Sequence, residues 1–301
     1  MSGMTRKVAL IGARGMLAKM VQAAAPSNFS IQGFQRPEFD LTDVDQVRRA
    51  MEEFRPQVII NCCAYTQVDR CEDEEELATR VNGEGPGYLA VVARELDATL
   101  VHVSTDYVFS GNANRPYREN DATGPMSAYG RSKLKGEQAI LESGLEKYFI
   151  VRTSWLYGPW GKNFVETILR LAAEREELRI VADQVGCPTY TGDLAEAIFR
   201  LLELESDSET PAVFKGEYGV YHFANEGQCS WYDFACEIVE IARQIGLPVK
   251  AHRIEPITTE QFPLPAQRPT YSVFDTAKYQ KATGVSIPSW QESLKTYFEV
   301  R

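Results

Sequence analysis

The chain has 301 residues, 44% of them hydrophobic and 25% charged, with a formal net charge of -10 at pH 7. That length is enough for roughly two domains and a large buried core. The acidic balance, with no run of Lys or Arg, excludes general nucleic-acid binding, because phosphate would be repelled. No apolar stretch approaches membrane-spanning length and no signal-peptide pattern opens the chain, which predicts a protein of the reducing cytoplasm with no membrane partner. The six cysteines lack metal-ligand spacing and read as reduced, small core residues. His102, His222 and His252 are scattered and read as core or surface residues, so no metal site is expected.

In chain order, Lys7 to Ile11 is a continuous apolar run and predicts a buried strand. Gly12-Ala13-Arg14-Gly15-Met16-Leu17-Ala18 follows at once with the spacing G-x-x-G-x-x-A. Small residues fall where the backbone must turn, where a diphosphate would approach main-chain NH groups, and where helix packs on strand. A second strand is predicted over Phe29 to Phe34, leading through Arg36 to Asp40 and Leu41. A third, Val58 to Asn61, runs into Cys62-Cys63-Ala64-Tyr65-Thr66. Helix-length segments follow each strand, so the alternation predicts βαβ units and an α/β fold with a parallel sheet. Glu72 to Glu76 reads as a solvated helix start without chemical role, and the helix from about Glu84 to Asp97 packs through Tyr88, Val92 and Leu96.

A fourth strand delivers Ser104-Thr105, the loop Gly111 to Pro125 returns the chain to a helix at Tyr129, and a fifth strand covers Tyr148 to Arg152. From Thr153 the composition changes. Trp155, Tyr157, Gly158, Pro159, Trp160 and Gly161 read as the lip of a cleft between lobes, where aromatic faces stack on a sugar or base. Helices are expected near Asn163 to Arg175 and Gly192 to Leu204, with an acidic surface loop over Glu203 to Glu209. Ser230 should cap a helix carrying Phe234, Ile238, Ile241 and Ile245 on one face. Pro263, Pro265 and Pro269 mark an irregular run around Arg268, and a last helix follows Pro288. The domain boundary falls near residue 152: 1–152 for dinucleotide binding and 153–301 for a smaller substrate lobe, with room for the chain to cross back.

The chemistry centres on Thr105 and on Tyr129 with Lys133. A tyrosine and a lysine four residues apart share a helix face, so the ammonium can lie near the phenol and lower its pKa from about 10. Such a tyrosine can exchange a proton with a carbonyl or alcohol oxygen, which a hydroxyl such as Thr105 could hold.

Together the glycine turn, Asn61 to Tyr65, Ser104-Thr105-Asp106 and Tyr129/Lys133 resemble the extended short-chain dehydrogenase/reductase superfamily. Within it, Arg152 to Gly158, Asp183 to Thr189, Tyr221 to Ala224 and Arg268-Pro269 are similar to the dTDP-4-dehydrorhamnose reductases. The resemblance implies a Rossmann-type doubly wound sheet and reduction, at C4, of a dTDP-linked 4-keto-6-deoxy sugar by a nicotinamide cofactor. It implies that Tyr129 protonates the substrate oxygen, Lys133 holds the nicotinamide ribose and Thr105 bonds the keto oxygen. Gly12, Gly15, Met16 and Leu17 would face the diphosphate, Asp40 and Leu41 the adenine, and Cys63, Ala64, Tyr65 and Thr66 the rest of the cofactor cleft. Val68, Tyr107 and Trp155 would contact substrate, with Asn163 and Arg268 assigned to the nucleotide diphosphate. Arg14 and Arg36 lie within reach of an adenosine 2'-phosphate and favour NADPH, with NADH as the other option. Where some relatives bridge a dimer through a metal held by glutamates, Met20 stands at one ligand position, so the assembly is left as monomer or homodimer. Two other readings are a cofactor-binding regulatory subunit without turnover, and a reductase or epimerase of another nucleotide sugar. The complete Thr105, Tyr129 and Lys133 set argues against the first, since a pure binder needs no proton donor.

Overall fold

In the computed structural model, which describes residues 5–204 and 217–301, each early apolar run becomes a strand. These are β1 (Arg6–Ile11), β2 (Phe29–Phe34), β3 (Val58–Asn61), β4 (Thr99–Thr105) and β5 (Tyr148–Thr153). Between them lie α1 (Met16–Ala23), α2 (Val44–Phe54), α3 (Glu75–Ala78), α4 (Gly85–Glu95) and α5 (Ala128–Glu142). The strand side chains alternate between two cores, as a pleated strand buried on both faces requires. Val8, Leu10, Val58, Ile60 and Val101 face α1, whereas Ala9, Ile11, Ile59 and Leu100 face α2 and α4.

The second half is built from β6 (Leu156–Tyr157), α6 (Phe164–Glu174), β7 (Glu177–Val181), β8 (Val185–Gly186), β9 (Thr189–Tyr190) and α7 (Thr191–Glu203). It continues with β10 (Gly219–His222), β11 (Cys229–Ser230), α8 (Trp231–Gln244), β12 (Arg253–Ile257), α9 (Ala277–Thr283) and α10 (Trp290–Val300). One cut at residue 152 does not divide this chain. β10 pairs in parallel with β5, completing a six-stranded sheet of order β10-β5-β4-β3-β1-β2, and α7 packs on α1. The second lobe keeps its own core, in which Tyr157, Ile168, Phe234 and Tyr297 pack between α6, α8 and α10.

Two local expectations change, and a third lies mostly outside the described residues. The aromatic segment is split, because Tyr157 is wholly buried in the second core while Trp160 is exposed. Ile245 lies beyond the end of α8 and is exposed, since the helix stops at Gln244. The acidic stretch begins at the end of α7, and its remainder, from Glu205 to Glu209, lies outside the described residues. Among the described residues no helix is long and apolar enough to cross a membrane.

Candidate active site

The chain leaves β1 toward β2 and leaves β3 toward β4, so the loops after β1 and β3 part in opposite directions. A crevice opens at such a switch point beyond the strand ends. Here it is a cleft of about 370 Å³. Gly12, Arg14 and Gly15 line it from the first turn, Arg36, Asp40 and Leu41 from beyond β2, and Cys63, Ala64 and Tyr65 from beyond β3. Gly12 has φ +79°, and a Cβ there would lie 2.9 Å from the backbone of Cys63. Only glycine brings these two loops so close. Gly15 caps α1 without any side-chain hydrogen bond, leaving the first-turn amides open to an anion. Leu17 buries its side chain in the core, so only its backbone is available to a ligand. Met16 packs against Gly161, and Thr66 is exposed at the end of the β3 loop.

Thr105 ends β4, and Tyr129 and Lys133 stand in the first turns of α5. Five contacts fix that helix. Ser127 caps it by accepting from the Gly130 amide at 3.1 Å, and Glu72 Oε1 accepts from the Ala128 amide at 2.9 Å. Glu137 pairs with Arg152 of β5 at 2.6 Å, both side chains at most 5% exposed. Gly130 and Gly136 let the helix close down, since a Cβ would fall 2.3 Å from Tyr107 O and 2.1 Å from Asn82 O respectively.

The phenol of Tyr129 does not have the lowered pKa expected from a lysine one turn away. Burial pushes its pKa up and the nearby Asp106 adds to this, while the Thr105 hydroxyl works the other way. Lys133 is occupied elsewhere: its Nζ donates to Val103 O at 2.7 Å and lies 3.3 Å from His102 Nε2. Its own pKa is lowered to about 8 because burial disfavours the ammonium. The Thr105 hydroxyl donates to Asp106 Oδ1 at 2.9 Å and accepts from the Tyr107 amide at 3.3 Å. Its one proton is committed to Asp106, whose carboxyl burial raises to about 6.

A second, larger cavity of about 880 Å³ lies in the other lobe, lined by Tyr107, Phe164, Gln184, Trp231 and Arg268. Arg175 and Arg179 add two exposed guanidinium groups to its wall. Trp155 stacks on Trp231 with ring centroids 3.5 Å apart. Arg268 forks onto Asp69, its two terminal nitrogens donating to the two carboxylate oxygens at 2.9 and 2.8 Å. Asn163 has its amide engaged within the fold. It caps α6 by accepting from the Glu166 amide and donates to the carbonyls of Gly158 and Gly161. Val68 and Tyr107 pack against the cluster that contains Tyr129, and the Tyr107 ring meets Tyr129 edge-on at 5.3 Å.

Compared with known proteins, residues 6–301 match the family described as the RmlD substrate binding domain. The chain belongs to the dTDP-4-dehydrorhamnose reductase family. It is 39% identical over 291 residues to the dTDP-4-dehydrorhamnose reductase of Aggregatibacter actinomycetemcomitans, covering 96% of this chain and 97% of that one. It is 38% identical over 296 residues to the spore coat polysaccharide biosynthesis protein SpsK of Bacillus subtilis, covering 98% of both. A crystal structure of dTDP-4-dehydrorhamnose reductase from Bacillus anthracis in complex with NADP superposes with a TM-score of 0.89 at 40% identity, covering 99% of this chain and 100% of that one.

In this member of the reductase family several site residues gave no motif in the sequence. Asn82 sits in a π-helical turn over Thr79–Glu84 and accepts from the Tyr65 amide at 2.7 Å. It also donates to Tyr65 O at 3.1 Å and to Ser132 Oγ at 3.0 Å, tying the β3 loop to α5. Asn61 and His102 form a chain from the Cys63 amide to Lys133. A signal existed for both: a polar residue inside an apolar run has to find a partner when buried. Trp231, Gln184 and Phe164 come together only in the tertiary fold.

Proposed function

We propose that this protein reduces the C4 keto group of dTDP-4-dehydro-L-rhamnose with NADPH, giving dTDP-L-rhamnose for cell-surface polysaccharide biosynthesis. The observation that carries this reading is the position of Tyr129. It belongs to an apolar cluster against which Tyr65, from the wall of the cleft at the sheet, is packed, and it meets the ring of Tyr107, from the wall of the larger cavity, edge-on. A proton donor there stands where two ligands in the two cavities would meet. The geometry of Gly12 and the open first turn of α1 fit a dinucleotide in the smaller cleft, and NADP is bound in the similar Bacillus anthracis structure.

When bound, the reduced nicotinamide supplies the hydride that the keto carbon receives. The chain supplies the matching proton, from Tyr129 Oη to the oxygen that gains the electron pair. Thr105 is the hydroxyl beside that phenol. Because Asp106 takes its proton, its oxygen is an acceptor, and it bonds the keto oxygen only if that proton is released. Arg268 and Tyr107 line the larger cavity, and the guanidinium suits the sugar diphosphate. The test mixes protein, NADPH and the keto-sugar nucleotide and follows nicotinamide absorbance and the sugar product. Stoichiometric oxidation with formation of dTDP-L-rhamnose supports the reading, and no oxidation sinks it.

The near-equal similarity to SpsK supports a second reading, in which the same chemistry acts on another dTDP-linked keto sugar. A panel of keto-sugar nucleotides compared by kcat/KM separates the two.

A further inference from the structure

A chain of hydrogen bonds behind Lys133 has a direction that can be worked out from its far end. The Cys63 amide can only donate, and it does so to Asn61 Oδ1 at 3.0 Å. This turns the Asn61 amide nitrogen toward His102 Nδ1, at 3.1 Å. An amide NH2 has no acceptor capacity, so Nδ1 must accept. The proton of a neutral imidazole then resides on Nε2. His102 is 1% exposed, and burial, which does not depend on the charge of Lys133, holds its pKa below the ordinary range, so the ring is neutral. Its Nε2–H therefore points at Lys133 Nζ, 3.3 Å away. An ammonium has nothing with which to accept that proton, whereas a neutral amine has one lone pair and can still donate to Val103 O.

We propose that His102 is a positioning residue which, through Asn61, favours the neutral amine of Lys133 in the empty enzyme, so that in the mildly alkaline range dinucleotide binding is coupled to uptake of one proton from solvent by Lys133. The proton goes to the amine lone pair as Nζ leaves His102 for new acceptors, and no other bond changes. The coupling rests on the reading that Lys133 meets the dinucleotide, but the state of the free enzyme does not.

The surroundings agree. Burial lowers Lys133 to about 8, opposed by Glu137 on its own helix and by Cys63 and Cys62 at the end of β3. Glu137 is itself neutralised by Arg152 from β5. Cys62 is pushed up to about 12 and Cys63 is raised, both chiefly by burial, so neither thiol offers a compensating anion at neutral pH.

Lysine labelled with 13C at Cε tests the free enzyme by NMR, with Lys133→Met assigning the resonance. The expected midpoint is about two units below the ~10.4 of an ordinary lysine. A midpoint at or above that ordinary value overturns the proposal. In His102→Gln the amide can turn its carbonyl oxygen toward Nζ, which should raise the midpoint by at least about one unit. An unchanged midpoint removes His102 from the role. Calorimetry of NADP+ binding to wild-type enzyme near pH 9, in buffers of different ionisation enthalpy, should then show uptake approaching one proton. Binding with no uptake sinks the coupling. Failure of NADP+ to bind strikes the functional reading instead, and the free-enzyme titration still decides the state of Lys133.

Discussion

Two arginine–carboxylate pairs flank the site, and their surroundings differ. Arg152 and Glu137 are 5% and 2% exposed and clamp α5 onto β5 at the heart of the sheet lobe. Arg268 and Asp69 are 19% and 36% exposed and hold the irregular 263–269 run against the loop after β3. The first pair fixes a regular element, the helix that carries Tyr129 and Lys133. The second fastens a loop that lines the larger cavity, where its guanidinium stays partly exposed. A buried pair is costly to break because it leaves a charge without water, while a partly exposed one adds little to stability. The sheet side of the site is thus built for position, and the loop side for contact.

The sharpest test of position is Tyr129→Phe. Removing the phenolic proton should lower kcat by about 100- to 10,000-fold, the usual worth of a general acid, with dinucleotide binding retained. Near-normal kcat would show that another group delivers the proton. Next is the clamp itself. Glu137→Gln leaves Arg152 buried beside a neutral amide, and denaturant unfolding should show a loss of about 3–5 kcal/mol. A loss below ~1 kcal/mol would mean that this pair behaves like the surface one, and the contrast between the two regions would collapse.

The same contrast explains what could be read in advance. β1 to β5 were legible because strands buried on both faces are continuous apolar runs, and the glycine turn because Gly12 must adopt positive φ against Cys63. Tyr129 and Lys133 were legible as a pair by helical spacing, but their electrostatics were not. The spacing gave proximity along α5, whereas the acidity of Tyr129 depends on Asp106 and burial, and the lysine's hydrogen bond goes to Val103 O of β4. The return of β10 to the sheet and the pairing of β12 with β7 rest on partners far away in sequence, which no local periodicity encodes. The larger cavity is the extreme case, because Phe164, Gln184, Trp231 and Arg268 come from four separate segments.

On the contact side, Arg268→Met should cost less than ~1 kcal/mol of stability, since its pair is partly exposed. Asp69, now held below the usual carboxylate range chiefly by Arg268, should titrate closer to that range. KM for the sugar nucleotide should rise about 10- to 100-fold, the worth of hydrogen bonds to a charged group, with KM for NADPH little changed. A rise in both constants together would place Arg268 in the framework rather than at the ligand.

The smallest expected effect discriminates within the dinucleotide cleft. Arg36 faces it but is already paired with Asp40 at 2.8 Å, so a phosphate would have to compete with a carboxylate for it. Arg14 lines the same cleft and makes no ion pair among the described residues. The free guanidinium is the better partner for a 2'-phosphate, because nothing must be broken first. Arg14→Met should therefore lower kcat/KM for NADPH about 10-fold and leave that for NADH unchanged, corresponding to one charge-assisted contact. Arg36→Met should do less, because the contact it loses is with Asp40. Were both dinucleotides to weaken equally in Arg14→Met, the arginine would be holding the diphosphate they share, and preference for NADPH would have to come from Arg36 after its release from Asp40.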